Sequence, residues 1–246
     1  MIKIENTEVM GWEHAIRGMR NPLNSWDKMD SHKCDCENDV LVKLPGGTAY
    51  KVRCAMYNSG DRPARYCANK AKTNFCIGRN DHDLMMRLAK AGAEHAKYRR
   101  MIVVYADVTA PRYWWAEYDT YKVGTVANSC STMHKIAAKE FTPEDFSTEH
   151  LVGKSFAALK DTLDVMNLER EHYLATKDKD CWWQMIQLLP QSYNQKRTIM
   201  LNYEVLANIY RQRKGHKLDE WRKFCEWEEQ LPYSELITGK EAETNG

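Results

Sequence analysis

A run of small and hydrogen-bonding residues, Gly124, Thr125, Asn128, Ser129, Cys130, Ser131, Thr132 and His134, follows an aromatic segment holding Tyr113, Trp114, Trp115, Tyr118 and Tyr121. Hydroxyls, amides and an imidazole at this density can orient a small polar ligand, and the aromatic rings can supply the apolar floor that such pockets have. A plainer reading of the same residues makes the aromatics core and the hydroxyls caps for the next helix. Arg213 is a second position with chemical potential. Ile199, Tyr203, Leu206 and Tyr210 recur at intervals of four, three and four, one apolar stripe of a helix, and Arg213 continues that stripe. A guanidinium on a buried face suits a phosphate or carboxylate that matches its planar fork; at a helix end it can instead reach solvent. His32, Cys34, Cys36, Cys54, Cys67 and Cys76 form a third group. Thiolates at close spacing favour zinc. However, Cys34 and Cys36 are separated by one residue and no second close pair follows, so buried thiols are expected and no metal centre.

The elements that position these residues are legible in part. Pro111 ahead of the aromatics starts a short buried helix, Arg112 to Lys122. The polar run after it has no period of two or of 3.6 and reads as a loop. Residues 101–108, MIVVYADV, read as a strand. Asp81 to Arg100 reads as a helix capped by Asn80 or Asp81, with Leu84, Leu88 and Ala91 on one face and Gly92 placed to break or kink it. Further helices are expected at 153–175, carrying Phe156, Leu159, Leu163 and Met166, at Asp180 to Leu189, buried and stopped by Pro190, and at 196–213. Thr142-Pro143-Glu144-Asp145 is a helix start. Nearer the N-terminus, Ile2 to Ile4 reads as a strand and Trp12 to Met19 as a helix. Val40 to Leu44 and Ala49 to Cys54 read as a hairpin joined by Pro45-Gly46-Gly47.

Composition narrows the function classes. A chain of 246 residues that is 43% hydrophobic can bury a substantial core. A net charge of +2 gives no electrostatic case for a nucleic-acid polymer. No apolar run approaches the ~20 residues that cross a bilayer. The first residues, MIKIENTEVMGWEH, are polar and carry acids, unlike a signal peptide, so eight cysteines are expected to be reduced in a cytoplasm. With 13 Tyr and 8 Trp, the interior must satisfy many ring N–H and O–H groups.

Residues 101–134 resemble the central region of the flavin-dependent thymidylate synthase family. That family has a strand, an Ala-Pro helix start, an Arg-His-Arg signature, and a loop with Ser, Asn-Glu, Ser and Arg-Tyr. Here Ala110-Pro111 stands at the helix start and Thr120-Tyr121-Lys122 on the triplet, with Lys122 alone keeping its charge. Asn128 and Ser131 match the loop's Asn and second Ser if one residue is inserted, while Ser129 and Met133 replace its Glu and Arg. Counting back from Ala110, His95 matches the first His of a Gly-His-x-Ser/Thr motif, and Arg100 stands where the family has Glu. Asn202, Asn208 and Arg213 fall on two Asn and the last Arg of the family's C-terminal helix; Glu204 replaces the intervening Arg, and His216 and Trp221 match a downstream His and Trp.

The resemblance implies an α+β fold, a small, mostly antiparallel sheet covered by long helices, over one domain at 1–237 that includes an irregular cysteine-containing stretch at 31–79 and is followed by a frayed tail at 238–246. It implies a homotetramer and one-carbon transfer to a pyrimidine nucleotide, dUMP to dTMP. FAD would be the cofactor, with NADPH and methylenetetrahydrofolate as co-substrates. His95, Tyr121, Lys122, Asn202 and Asn208 would contact the cofactor, and Asn128, Ser131 and Arg213 the nucleotide; no protein nucleophile is required. Two other readings stand beside this one: a related flavin or nucleotide enzyme making a modified-base precursor, and a non-catalytic nucleotide-binding relative.

Overall fold

A computed structural model describes residues 1–33, 39–43, 49–53 and 75–240. Four strands form the main sheet: β1 (Lys3–Met10), β6 (Val103–Pro111), β7 (Val126–Ser129) and β8 (Asn194–Asn202), in the order β1-β6-β8-β7. Two small antiparallel pairs stand apart from it. β2 (His32–Lys33) pairs with β5 (Phe75–Cys76), and β3 (Asp39–Lys43) pairs with β4 (Ala49–Arg53), with Leu41 opposite Lys51. The expected hairpin is therefore present; its Pro45-Gly46-Gly47 turn lies outside the described residues.

The helices are α1 (Trp12–Arg20), α2 (Arg79–Lys90), α3 (Arg112–Tyr118), α4 (Thr132–Lys135), α5 (Lys154–Thr176), α6 (Lys179–Leu188), α7 (Tyr203–Arg213), α8 (Asp219–Glu229) and α9 (Glu235–Thr238). The fold is α+β, a small antiparallel sheet with helices around it, as the sequence led one to expect. The chain divides into two compact units. The first holds Met1–Asn6, Ala106–Ile199 and His216–Phe224; the second holds Thr7–Tyr105, Met200–Gly215 and the described residues from Cys225 onward.

Several boundaries differ from the sequence reading, each for a physical reason. The helix expected over 81–100 ends at Lys90, because Gly92 takes φ +117°, a value L side chains rarely adopt. A 3-10 helix, Ala96–Met101, follows. Neither Asn80 nor Asp81 caps α2. Asp30 does so instead, accepting from the N–H groups of Asn80 (3.0 Å) and Asp81 (3.1 Å). Asp81 is fully buried: its Oδ1 accepts from Arg20 Nε at 2.6 Å and its Oδ2 from Ser31 N and Oγ at 2.9 and 2.6 Å.

The helix expected at 196–213 is a strand followed by a helix. In β8, Ile199 and Leu201 are buried at a spacing of two, and Asn202 then ends the strand by capping α7. Ile199 therefore belongs to the sheet, and the helical stripe begins at Tyr203. The Thr142 start yields only one 3-10 turn, Pro143–Asp145, closed by a capping box with Asp145, before Phe146 returns to extended backbone. α6 is less buried than expected: Met185 is its buried residue, while Trp183 and Leu188 are exposed. Thr238 closes α9, and Lys240 Nζ reaches Glu229 Oε1 at 2.6 Å.

Candidate functional site

In the first unit the aromatic segment becomes α3, one face of which is wholly buried through Trp114, Trp115 and Tyr118. No side chain caps this helix. Its first N–H groups, from Arg112 and Tyr113, donate to the carbonyls of Tyr193 (3.1 Å) and Gln191 (3.2 Å). Trp114 stacks on Tyr118 with centroids 5.2 Å apart and meets Trp221 at 4.8 Å, and Tyr121 stands edge-on to Trp221 at 5.9 Å. Trp114, Trp115 and Tyr118 are thus core, as the plainer reading of the aromatics has it. Trp114 Nε1 and Tyr118 Oη find no hydrogen-bond partner among the described residues. Burial pushes the Tyr118 phenol well up.

Carboxylates accept hydrogen bonds from the rings at the margin of this cluster. Trp221 Nε1 donates to Glu117 Oε2 at 2.9 Å, and His216 Nε2 stands 3.7 Å from the same oxygen. Tyr113 Oη donates to Glu220 at 2.5 Å. Desolvation, and then that bond, raise the Tyr113 phenol far above its ordinary value.

Sequence reasoning missed Arg197. Its guanidinium carbon lies 4.2 Å from the centroid of the Trp115 ring, a cation–π contact on a largely buried side chain. Nη1 donates to Asp119 Oδ1 at 2.8 Å and Nε to Gln195 Oε1 at 3.1 Å. Gln195 Nε2 in turn holds the carbonyl of Cys130 (3.0 Å) and the hydroxyl of Thr132 (3.2 Å). The polar segment is therefore tied through Gln195 to the cation over Trp115. Its signal was a lone Arg inside NQKRTIMLN, which a helical assignment of those residues concealed.

The four sequence candidates of this unit differ in what they offer. Lys122 is exposed just past α3, and Tyr121 is half-buried against Trp221. Asn128 lies on β7, which sequence reading took as loop: all four of its side chains are exposed, so an edge strand with no buried face shows no alternation. Ser131 caps α4, its Oγ accepting from His134 N at 3.2 Å. The plainer reading of the hydroxyls holds at this position.

The second unit holds the other four. His95 is exposed where the 3-10 helix begins. Asn202 is nearly buried, and its Oδ1 accepts from the N–H groups of Glu204 and Val205, each at 3.1 Å. Asn208 Oδ1 accepts from Arg211 (2.8 Å) and Gln212 (2.9 Å). Tyr203, Leu206 and Tyr210 are buried on one face of α7, and Arg213 is half-buried in its last turn. Beside them Arg100 Nη2 donates to Glu204 Oε1 at 2.9 Å, with Nε on the other oxygen.

Of the cysteines, Cys76 and Cys225 are buried, Cys181 is half-buried and Cys130 is exposed. Cys34, Cys36, Cys54 and Cys67 lie outside the described residues.

No protein-family model matches the sequence, and no curated protein matches it. Solved structures do. Thymidylate synthase X from Helicobacter pylori, in two structures with FAD and dUMP, aligns over 97% of this chain and 98% of its own, at 11% identity and a TM-score of 0.61. The fold is that of the flavin-dependent thymidylate synthases. A UMP/dUMP methylase, PolB from Streptomyces cacaoi, bound with 5-Br UMP, matches at 15% identity over 66% of this chain and 83% of its own, with a TM-score of 0.48. The small antiparallel sheet of this chain agrees with the thymidylate synthase fold.

Proposed function

We propose that this chain is a flavoprotein that transfers one carbon to a pyrimidine nucleotide, in the manner of a thymidylate synthase acting on dUMP. The observation that carries this reading is the likeness over 97% of the chain to an enzyme solved with FAD and dUMP.

The donor set fits a phosphorylated flavin in kind. Tyr121 offers a half-buried ring, Lys122 an exposed cation and His95 an exposed imidazole. Asn202 and Asn208 use their amide oxygens locally and would turn their NH2 groups to a ligand. Asn128, Ser131 and Arg213 would take the nucleotide, Arg213 by a forked contact to its phosphate. When bound, the flavin supplies the hydride and one-carbon chemistry, with NADPH and methylenetetrahydrofolate as co-substrates, and the protein binds and orients. A homotetramer belongs to the same proposal. Val165, Leu168, Leu174, Trp183 and Leu188 on α5 and α6 are all exposed, an apolar surface suited to self-association.

The visible spectrum of the purified protein, before and after incubation with FAD and desalting, tests this reading. Retained flavin absorption that NADPH bleaches is the expected result. Protein that retains no flavin but binds dUMP would replace the proposal with a non-catalytic nucleotide binder.

A further inference from the structure

α5 and α6 form a tight helical hairpin. Lys177 ends α5 in the left-handed conformation (φ 60°, ψ 20°), with its N–H on the Tyr173 carbonyl at 2.8 Å. Asp178 then caps α6, accepting from Asp180 N at 3.0 Å. The two helices share a core that includes Leu159, Leu163 and Met166 on one and Met185 and Leu189 at the other.

One turn nearer the hairpin's closed end the apolar residues give way to Glu169, three residues after Met166, and to Cys181, four residues before Met185. His172 follows Glu169 at a spacing of three, on the same side of α5. One ligand atom from each of Glu169, His172 and Cys181 lies within 4.8 Å of the other two. Glu169 and Cys181 are half-buried, and His172 is exposed. The carboxylate of Glu169 stands against the Cys181 thiol and raises it.

We propose that Glu169, His172 and Cys181 form a binding site for a zinc-type divalent cation, with water as the fourth ligand. A thiolate and an imidazole select zinc or its neighbours over magnesium and calcium, which take oxygen. Zinc bonds of about 2.0–2.3 Å set the ligand atoms about 3.3–3.8 Å apart in a tetrahedron. The helices being fixed by their shared core, side-chain rotation would have to supply that contraction. On binding, the thiol proton leaves to solvent and the thiolate takes its place on the metal. The ion would clip the closed end of the hairpin, independently of any flavin or nucleotide. Cys181 escaped the sequence reading because its partners come from the preceding helix, and the tightness of the turn between them is not written in spacing.

Titrating chelator-treated full-length protein with Co2+ tests the site. One equivalent should bind with thiolate-to-cobalt charge-transfer absorption. Cys181→Ser should abolish that absorption, and His172→Gln and Glu169→Gln should each weaken binding at least about tenfold. Replacing Cys34 and Cys36 by serine should leave it unchanged. As a second readout on the unaltered chain, Zn2+ should slow alkylation of Cys181, read on the peptide by mass. Charge-transfer absorption that survives Cys181→Ser, or alkylation of Cys181 at the same rate with and without zinc, would overturn the proposal.

Discussion

Arg100 and Glu204 form a two-pronged ion pair, with Nη2 to Oε1 at 2.9 Å and Nε on the second oxygen. The resemblance places a Glu at the first of these positions and an Arg at the second. Both charges are inverted in this chain, and the two inverted residues are partners.

The pair predicts a reversal experiment. Arg100→Glu and Glu204→Arg should each lower the melting temperature, because each sets like charges together. The double exchange should recover most of the loss. Singles and double that melt alike would show that the pair contributes nothing to the fold.

Asp81 should be far more sensitive. It is fully buried and takes Arg20, itself almost buried, together with Ser31. Asp81→Ala leaves the guanidinium of Arg20 uncompensated and should cost about 3–5 kcal/mol in chemical denaturation. A loss below about 1 kcal/mol would mean that Arg20 finds another partner.

Glu228 predicts a pH dependence. It is fully buried, and its titratable neighbours are the Cys225 thiol, which stands within reach of the carboxyl, and Glu229. Burial holds its carboxyl well above the ordinary 4.5. The folded state therefore keeps a proton that the unfolded state releases above about pH 4.5, and stability falls as pH rises through that window. Glu228→Gln removes this liability. Its melting temperature should exceed that of the wild type by a margin that widens as pH rises above about 4.5. A margin that stays constant as pH rises would assign the effect to packing.

Much of the architecture could be read from residue pattern, and the failures share a cause. α5 was legible because Leu159, Leu163 and Met166 hold one helical face over a long uncapped run. α3 was legible because Pro111 precedes the aromatics. The β8–α7 junction was not, since Ile199 to Tyr203 spans four residues in either state and mimics a helical interval across the boundary. Asn202, a good cap placed where a period of two gives way to one of 3.6, was the signal that marked it. The edge strand β7 buries no side chain and so leaves no pattern. Of the proposed ligand contacts, Lys122 and Arg213 could be found by charge and stripe. Arg197 could not, because its role depends on the ring of Trp115 beneath it.

Arg213 should matter to the ligand more than to the fold. It continues the face of Tyr203, Leu206 and Tyr210 at the end of α7. Arg213→Ala should weaken dUMP binding in calorimetric titration by about 2–5 kcal/mol. Arg213→Lys should also bind poorly, because a point charge does not reproduce a forked contact. Lower melting temperature with unchanged affinity in both variants would make Arg213 a structural residue.

The reaction itself is the most direct test. Adding one carbon at C5 of the uracil displaces the hydrogen there, so dUMP carrying tritium at C5 reports the chemistry as radioactivity released to water. With FAD, NADPH and methylenetetrahydrofolate present, the protein should release tritium in proportion to product, and omission of any one of the three should stop it. Protein shown to hold FAD and dUMP that releases no tritium under the complete conditions would contradict one-carbon transfer to this nucleotide.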